Sequence, residues 1–234
     1  MLGALGGSLL MEGGGLSSCS SRYAGGAILA DVGRTAAATT ASSATPTPTV
    51  RATLLNVTIS LCTSNYGGAM LVANGAWMTM HGGSVSDCAA TRNGGAIGAY
   101  YSHTVLDLRN VAMASCTAAS RGGAMLLEAD VTLTMTACTL RNCTASDWGG
   151  GIVAYRDVRG TLTNTLFSDC TAGTLGGALY LMLSSSFELT RSALHGCLAG
   201  AYGGGANVDR GSSLRLDDSR VSGCDAPSGG ALWV

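Results

Sequence analysis

The sequence predicts an all-β chain wound as a single-stranded parallel β-helix, with about 27 residues per coil and roughly seven to eight coils. Three observations carry that expectation. Cysteines recur at Cys62, Cys88, Cys116, Cys143, Cys170, Cys197 and Cys224, in steps of 26, 28, 27, 27, 27 and 27. Glycine pairs keep time with them, at Gly67–Gly68, Gly94–Gly95, Gly122–Gly123, Gly149–Gly150, Gly176–Gly177, Gly203–Gly204 and Gly229–Gly230. Between these marks stand only short alternating runs, such as "TLTMT" from Thr132 and "SLRLD" from Ser213, parted by Gly, Ser, Asn and Asp.

Aligning the chain on its cysteines exposes further columns. Eight residues earlier stand Leu54, Met80, Leu108, Met135, Leu162, Leu189 and Leu216. Three residues earlier stand Ile59, Val85, Met113, Leu140, Phe167, Leu194 and Val221. Alanine follows two residues after the cysteine at Ala90, Ala118, Ala145, Ala172, Ala199 and Ala226. Columns that keep one character mean one unit stacked on copies of itself, with residues one lap apart as vertical neighbours. Three short strands and three bends fill such a coil, and successive coils then lie about 4.8 Å apart. A leucine-rich repeat shares the length range, but the leucine frame its convex side needs is absent.

The cysteine column reads as a structural ladder, because a free thiol is a small apolar filler that prefers burial. A spacing of 27 does not resemble the paired cysteines of a zinc site. Parallel stacking brings rungs within disulfide range but aims their Cβ atoms poorly. Cys138 stands outside the ladder, five residues before Cys143, in a column with Val57, Val111, Thr165 and Ser192. Local pairing of Cys138 with Cys143 stays open at this point. The glycine pairs read as structural too, placed where the backbone turns tightly or two walls approach closely.

Composition narrows the function classes. The 234 residues hold 35 Gly and only two Phe, which is not the make-up of an ordinary globular core. A net charge of −1, with every one of the 13 basic residues an Arg, gives no electrostatic reason to expect nucleic acid or an anionic membrane as partner. No apolar run approaches the roughly 18 residues of a membrane span. The opening "MLGALGGSLLMEGGG" lacks the basic start of a signal peptide. The whole chain reads as one solenoid domain, residues 1–234, with a Thr/Ala/Ser/Pro-rich loop insertion at 33–51. Uncapped ends, the last at "GGALWV", lead us to expect flanking coils and a longer solenoid. Sequons at Asn56 and Asn142 permit N-glycosylation in a secretory compartment.

One column carries chemistry. His103, Asp130 and Asp157 lie thirteen residues before successive cysteines, with Glu128, Arg156 and Arg159 close by. Stacked, they form a polar line suited to a cation or to sugar hydroxyls, although Asp and His are also at home in a solvated turn. The three histidines, His81, His103 and His195, fall in different columns, and Asp217–Asp218 is the only adjacent acidic pair. That scatter disfavours the acid clusters of a polysaccharide lyase and the paired carboxylates of a hydrolase. Tyr66, Trp148 and Tyr202, just ahead of glycine pairs, suit stacking on sugar rings at an exposed bend, with ordinary packing as the plainer role. No cofactor or metal is called for.

The repeats resemble those of the polymorphic outer membrane protein family, with its paired GGAI and FxxN motifs. "FSDCTAGTLGGAL", Phe167 to Leu179, is the nearest copy, and "GGAI" itself stands at Gly25 to Ile28 and Gly94 to Ile97. Eight GG sites spread the resemblance over nearly the whole chain, with the cysteine ladder occupying the Asn position of FxxN. The resemblance implies a right-handed, pectin-lyase-like parallel β-helix displayed at a cell surface or secreted, with glycans or other surface proteins as partners. The function expected is therefore a non-catalytic stalk and adhesion platform. The alternatives are a polysaccharide-active β-helix enzyme or carbohydrate-binding module, and an intracellular scaffold, the last favoured by apparently unpaired thiols.

Overall fold

The computed structural model describes residues 7–32, 50–101 and 103–234. Every regular element among them is a strand, and all stack as a parallel β-solenoid of about 7 turns, with ~27 residues per turn. Three sheets of 14, 6 and 8 strands run the length of the stack. The coil around Cys143 shows the plan. Val131–Thr136 and Thr139–Arg141 belong to the long sheet, Thr144–Ala145 to the short one and Ile152–Tyr155 to the third. Each residue pairs with its counterpart one lap on: Met135 with Leu162, Leu140 with Phe167, Ala145 with Ala172, Ile152 with Leu179.

The coils that begin with Val50–Ser60 and Trp77–Ser86 hold the three strands expected, whereas from Thr104 on each full coil holds four strand segments. The long sheet is broken by a left-handed residue at Asn110, Ala137, Asn164, Arg191 and Asp218, each with φ between 46° and 53°. A second left-handed corner precedes the cysteine at Asp87, Ser115, Asn142 and Asp169. The third is the first glycine of each pair, and the fourth is a two-residue bend such as Ala129–Asp130 or Arg156–Asp157. Short polar residues and glycine visit this region at least cost, so the corners explain why Gly, Asn, Asp and Ser part the apolar runs.

The second glycine of each pair answers a different need. A Cβ on Gly150 would stand 2.5 Å from the backbone nitrogen of Thr171 and from the carbonyl oxygen of Gly177, both one lap on. Only a bare backbone fits between coils there.

The core is the stack of inward columns. Leu54, Met80, Leu108, Met135, Leu162 and Leu189 are fully buried, as are the rungs from Cys62 to Cys197. Rungs at the two ends, Cys19 and Cys224, are partly exposed. All nine cysteines are free, so Cys138 and Cys143 are not joined. Each thiol instead returns to the carbonyl two residues back across the preceding corner, Cys88 to Ser86 at 3.1 Å and Cys116 to Ala114 at 3.3 Å. Cys138 does the same to Thr136 at 3.4 Å. Its column mates use hydroxyls for that bond: Thr165 to Thr163 at 3.2 Å, Ser192 to Thr190 at 3.0 Å and Ser219 to Asp217 at 2.8 Å. The residue past the left-handed corner is thus a thiol or hydroxyl donor throughout the ladder and from Cys138 on in the second column, whose earlier members Val57 and Val111 are apolar.

Most of the expected loop insertion, residues 33–49, lies outside the described residues. Val50 and Arg51, assigned to that loop from sequence, instead begin the strand Val50–Ser60. Arg51 pairs with Trp77 in the next coil and lays its guanidinium 4.4 Å above the indole ring, which holds the segment in register.

Candidate functional site

His103, Asp130 and Asp157 do form a vertical line, at the bend between the third sheet and the long sheet. All three are left-handed, with φ of 63°, 60° and 57°. The amide of His103 donates to the carbonyl of Asp130 at 3.0 Å, and that of Asp157 to Leu183 at 2.9 Å. His103 Nδ1 stands 3.8 Å from Asp130 Oδ2, and the imidazole is 86% exposed. Asp157 continues the line with an exposed side chain. The left-handed backbone of this bend suits Asp and His, and the His103 imidazole stands largely in solvent. The other histidines lie apart, His81 by Asp107 and His195 by Ser222. Among the described residues, no group of three or more His, Cys, Asp or Glu is arranged to hold a metal ion.

A more enclosed site lies beside this line, on the outer face of the third sheet. The residue before each of three glycine pairs folds over the third-sheet strand of the next coil. Tyr66 meets Tyr100 edge to face with ring centres 6.1 Å apart, Trp148 meets Tyr180 at 5.4 Å, and Tyr202 meets Trp233 at 5.2 Å. The aromatics noted before the glycine pairs therefore serve packing, as the apolar cluster of Leu71, Tyr100, Leu126, Val153, Tyr180 and Met182 shows. Arg121 lies 4.0 Å above the Trp148 ring, and Arg92 donates to the Tyr66 hydroxyl at 2.7 Å.

At one end this cover opens into a groove of about 410 Å³, lined by Asp31, Tyr66, Leu71, Ala73, Asn74, Asn93, Tyr100, Tyr101 and Glu128. Missing side chains make it. Gly98 takes the place that Leu71, Leu126 and Val153 fill in neighbouring coils, and Tyr100 lies back over it, so that a Cβ there would stand 2.7 Å from its ring. Ala73 is small where the next coils carry Tyr100 and Glu128, and Asn93 stands in the column of Tyr66, Arg121 and Trp148. Asn74 donates to Asp31 at 2.7 Å across one rim. Burial and then the nearby Glu128 carboxylate hold the Tyr100 hydroxyl far above the ordinary phenol range, so it keeps its proton. Asn93 sits beside that hydroxyl and lowers it slightly, yet among the described residues Tyr100 Oη has no hydrogen-bond partner in bonding geometry.

Sequence reasoning located the neighbouring bend but not the groove. The signal was present as a glycine interrupting an apolar strand just ahead of two tyrosines, "IGAYY" from Ile97. The thiol row is the other concentration of chemistry. The neighbouring rung at Cys143 and burial push the thiols of Cys116 and Cys170 up, and each of these thiols directs its proton to a backbone carbonyl. From Cys62 to Cys197 the row is sealed in the core, and access to those rungs requires opening a coil.

No family model matches the chain, and neither a curated protein nor a solved structure matches it.

Proposed function

We propose that the chain is a non-catalytic section of rigid shaft in a surface-exposed or secreted protein, of the polymorphic outer membrane protein type and the pectin-lyase-like superfamily, serving as stalk and adhesion platform. One observation carries this reading. Pairing runs in register from coil to coil along the long sheet, and the polar and charged residues sit on the outer faces and at the bends. A stack of this kind is stiff along its axis and presents its variable positions at intervals of about 4.8 Å. That suits holding and display better than chemistry, for which convergent acids and bases are needed. No helix among the described residues is long and apolar enough to cross a membrane, so attachment to a surface would come through other means or other segments.

The nine free cysteines favour a second reading, an intracellular scaffold in a reducing compartment. We prefer the first because the rungs from Cys62 to Cys197 are fully buried, and buried thiols stay reduced in either compartment. Labelling of intact cells with an antibody to the solenoid decides between them. Surface label that disappears after brief protease treatment supports display. Label seen only after permeabilisation removes that reading in favour of the scaffold.

A further inference from the structure

We infer that the groove beneath Tyr101 is a binding site for a neutral saccharide, one or two sugar rings in length. The inference deepens the adhesive reading above and rests on it for the kind of molecule a surface shaft would meet. Its warrant is the chemistry of the lining. The volume, about 410 Å³, falls within the usual range for small-ligand sites. A sugar ring offers an apolar C–H face edged by hydroxyls that both donate and accept. The groove offers both counterparts. Tyr101 is 44% exposed and supplies an aromatic face, with the apolar floor of Leu71 and Ala73 beneath. Asp31 and Glu128 accept from hydroxyls, and Asn74 and Asn93 both donate and accept.

Charge removes one rival class. Among the described residues the lining holds two carboxylates and no arginine, a balance that repels phosphate, sulfate and acidic sugars. A quaternary ammonium would be drawn to aromatic faces and carboxylates, and it is the strongest competitor. Two features count against it. Tyr66 and Tyr100 pack edge to face on each other with ring centres 6.1 Å apart, so part of their aromatic surface is taken up by that contact rather than offered to a cation. The amides and the unpaired Tyr100 hydroxyl also call for hydrogen-bonding partners, which a methylated ammonium lacks. A buried donor without an acceptor is costly. A ligand hydroxyl entering beside Asn93 would relieve that cost.

The test is titration of the 234-residue chain with cellobiose, maltose, chitobiose and methyl galactoside, and separately with choline and inorganic phosphate. We expect at least one neutral saccharide to bind in the millimolar range or tighter, choline and phosphate not to bind, and Tyr101→Ala to weaken the saccharide roughly tenfold. Asn74→Ala and Glu128→Gln should weaken it as well. Unfolding temperatures of the three variants, compared with the parent, separate lost contact from lost fold. Saccharide binding unchanged in all three variants overturns the site, as does choline binding ahead of every sugar or no saccharide binding at all. Adhesion to cells that persists in Tyr101→Ala also overturns the groove, while leaving the adhesive reading of the shaft intact.

Discussion

Phe187 lies one lap above Gly160, and the two share a single volume. They are register partners in the long sheet, and a Cβ added to Gly160 would stand 2.6 to 2.7 Å from three atoms of the phenyl ring. Neighbouring coils fill the same column with Leu106, Leu133 and Leu214. The second phenylalanine repeats the pattern across the core: Phe167 packs against Gly151, where other coils carry Ala96, Ala124 or Ala178. The chain has only two Phe, and each is matched by a glycine where its neighbours have a larger residue. Size is conserved between rungs, not at a rung.

That relationship predicts compensation. Gly160→Leu alone should cost about 1–3 kcal/mol by overpacking against the ring. Phe187→Leu alone should cost about 1–2 kcal/mol through the space it leaves. Together they rebuild the leucine column, and the double variant should return to within about 1 kcal/mol of the parent. Urea unfolding of the four proteins measures the coupling. Additive losses would show that the two sites do not share a volume.

Glycines at different corners should not be equivalent. Gly150→Ala drives a methyl group into the backbone of the next coil at 2.5 Å, where nothing flexible can yield. Gly211, at φ 73°, has nothing within 4 Å of the added Cβ, so only the left-handed backbone is penalised. We expect Gly211→Ala to cost about 1 kcal/mol, and Gly150→Ala to cost at least about 3 kcal/mol or prevent folding. Thermal unfolding of the pair checks the order. Equal losses would mean that contact between coils at Gly150 is looser than its geometry.

Leu61 offers a change in the other direction. It is a left-handed residue, φ 56°, at the corner that other coils build from Asp87, Ser115, Asn142 and Asp169, and it is 58% exposed. Leu61→Asn removes a backbone penalty and an exposed apolar side chain with no loss of core packing. A gain of about 0.5–1 kcal/mol is expected from chemical denaturation. A loss would show that Leu61 makes a contact worth more than the strain.

What the sequence disclosed follows the same physics. The Cys and GG columns were legible because stacking gives every rung one environment, as Cys116, Cys143 and Cys170 show by lying in the core at successive laps. The corner that breaks the long sheet was not, because Asn110, Ala137, Asn164 and Arg191 share a backbone conformation without sharing a side chain. Polarity drew the eye to His103, Asp130 and Asp157, where a turn suffices to explain it. The groove stayed hidden because it is made by what Gly98 and Ala73 lack, and by a meeting of Tyr66 with Tyr100 that only the folded coil arranges.

Cys138 ties stability to pH. It lies outside the ladder and is fully buried. Burial pushes its thiol above the ordinary value of 9.0, against smaller opposing hydrogen bonds from the backbone at Val111, Thr136 and Asn110. A thiol whose folded value exceeds its unfolded one holds its proton more tightly in the native state. Its contribution to stability is therefore complete below pH 9.0 and is lost as pH rises through the higher folded value. Threonine at this position should keep the bond to the Thr136 carbonyl, since Thr165 makes the equivalent bond one coil on. Cys138→Thr should therefore unfold within about 1 kcal/mol of the parent at pH 7. It should then gain on the parent as pH is raised above 9 in the presence of reductant, because threonine has no proton to lose there. Urea midpoints for both proteins at pH 7, 8.5 and 10 provide the comparison. A difference that stays constant across that range would show that the Cys138 thiol titrates alike in the folded and unfolded chains.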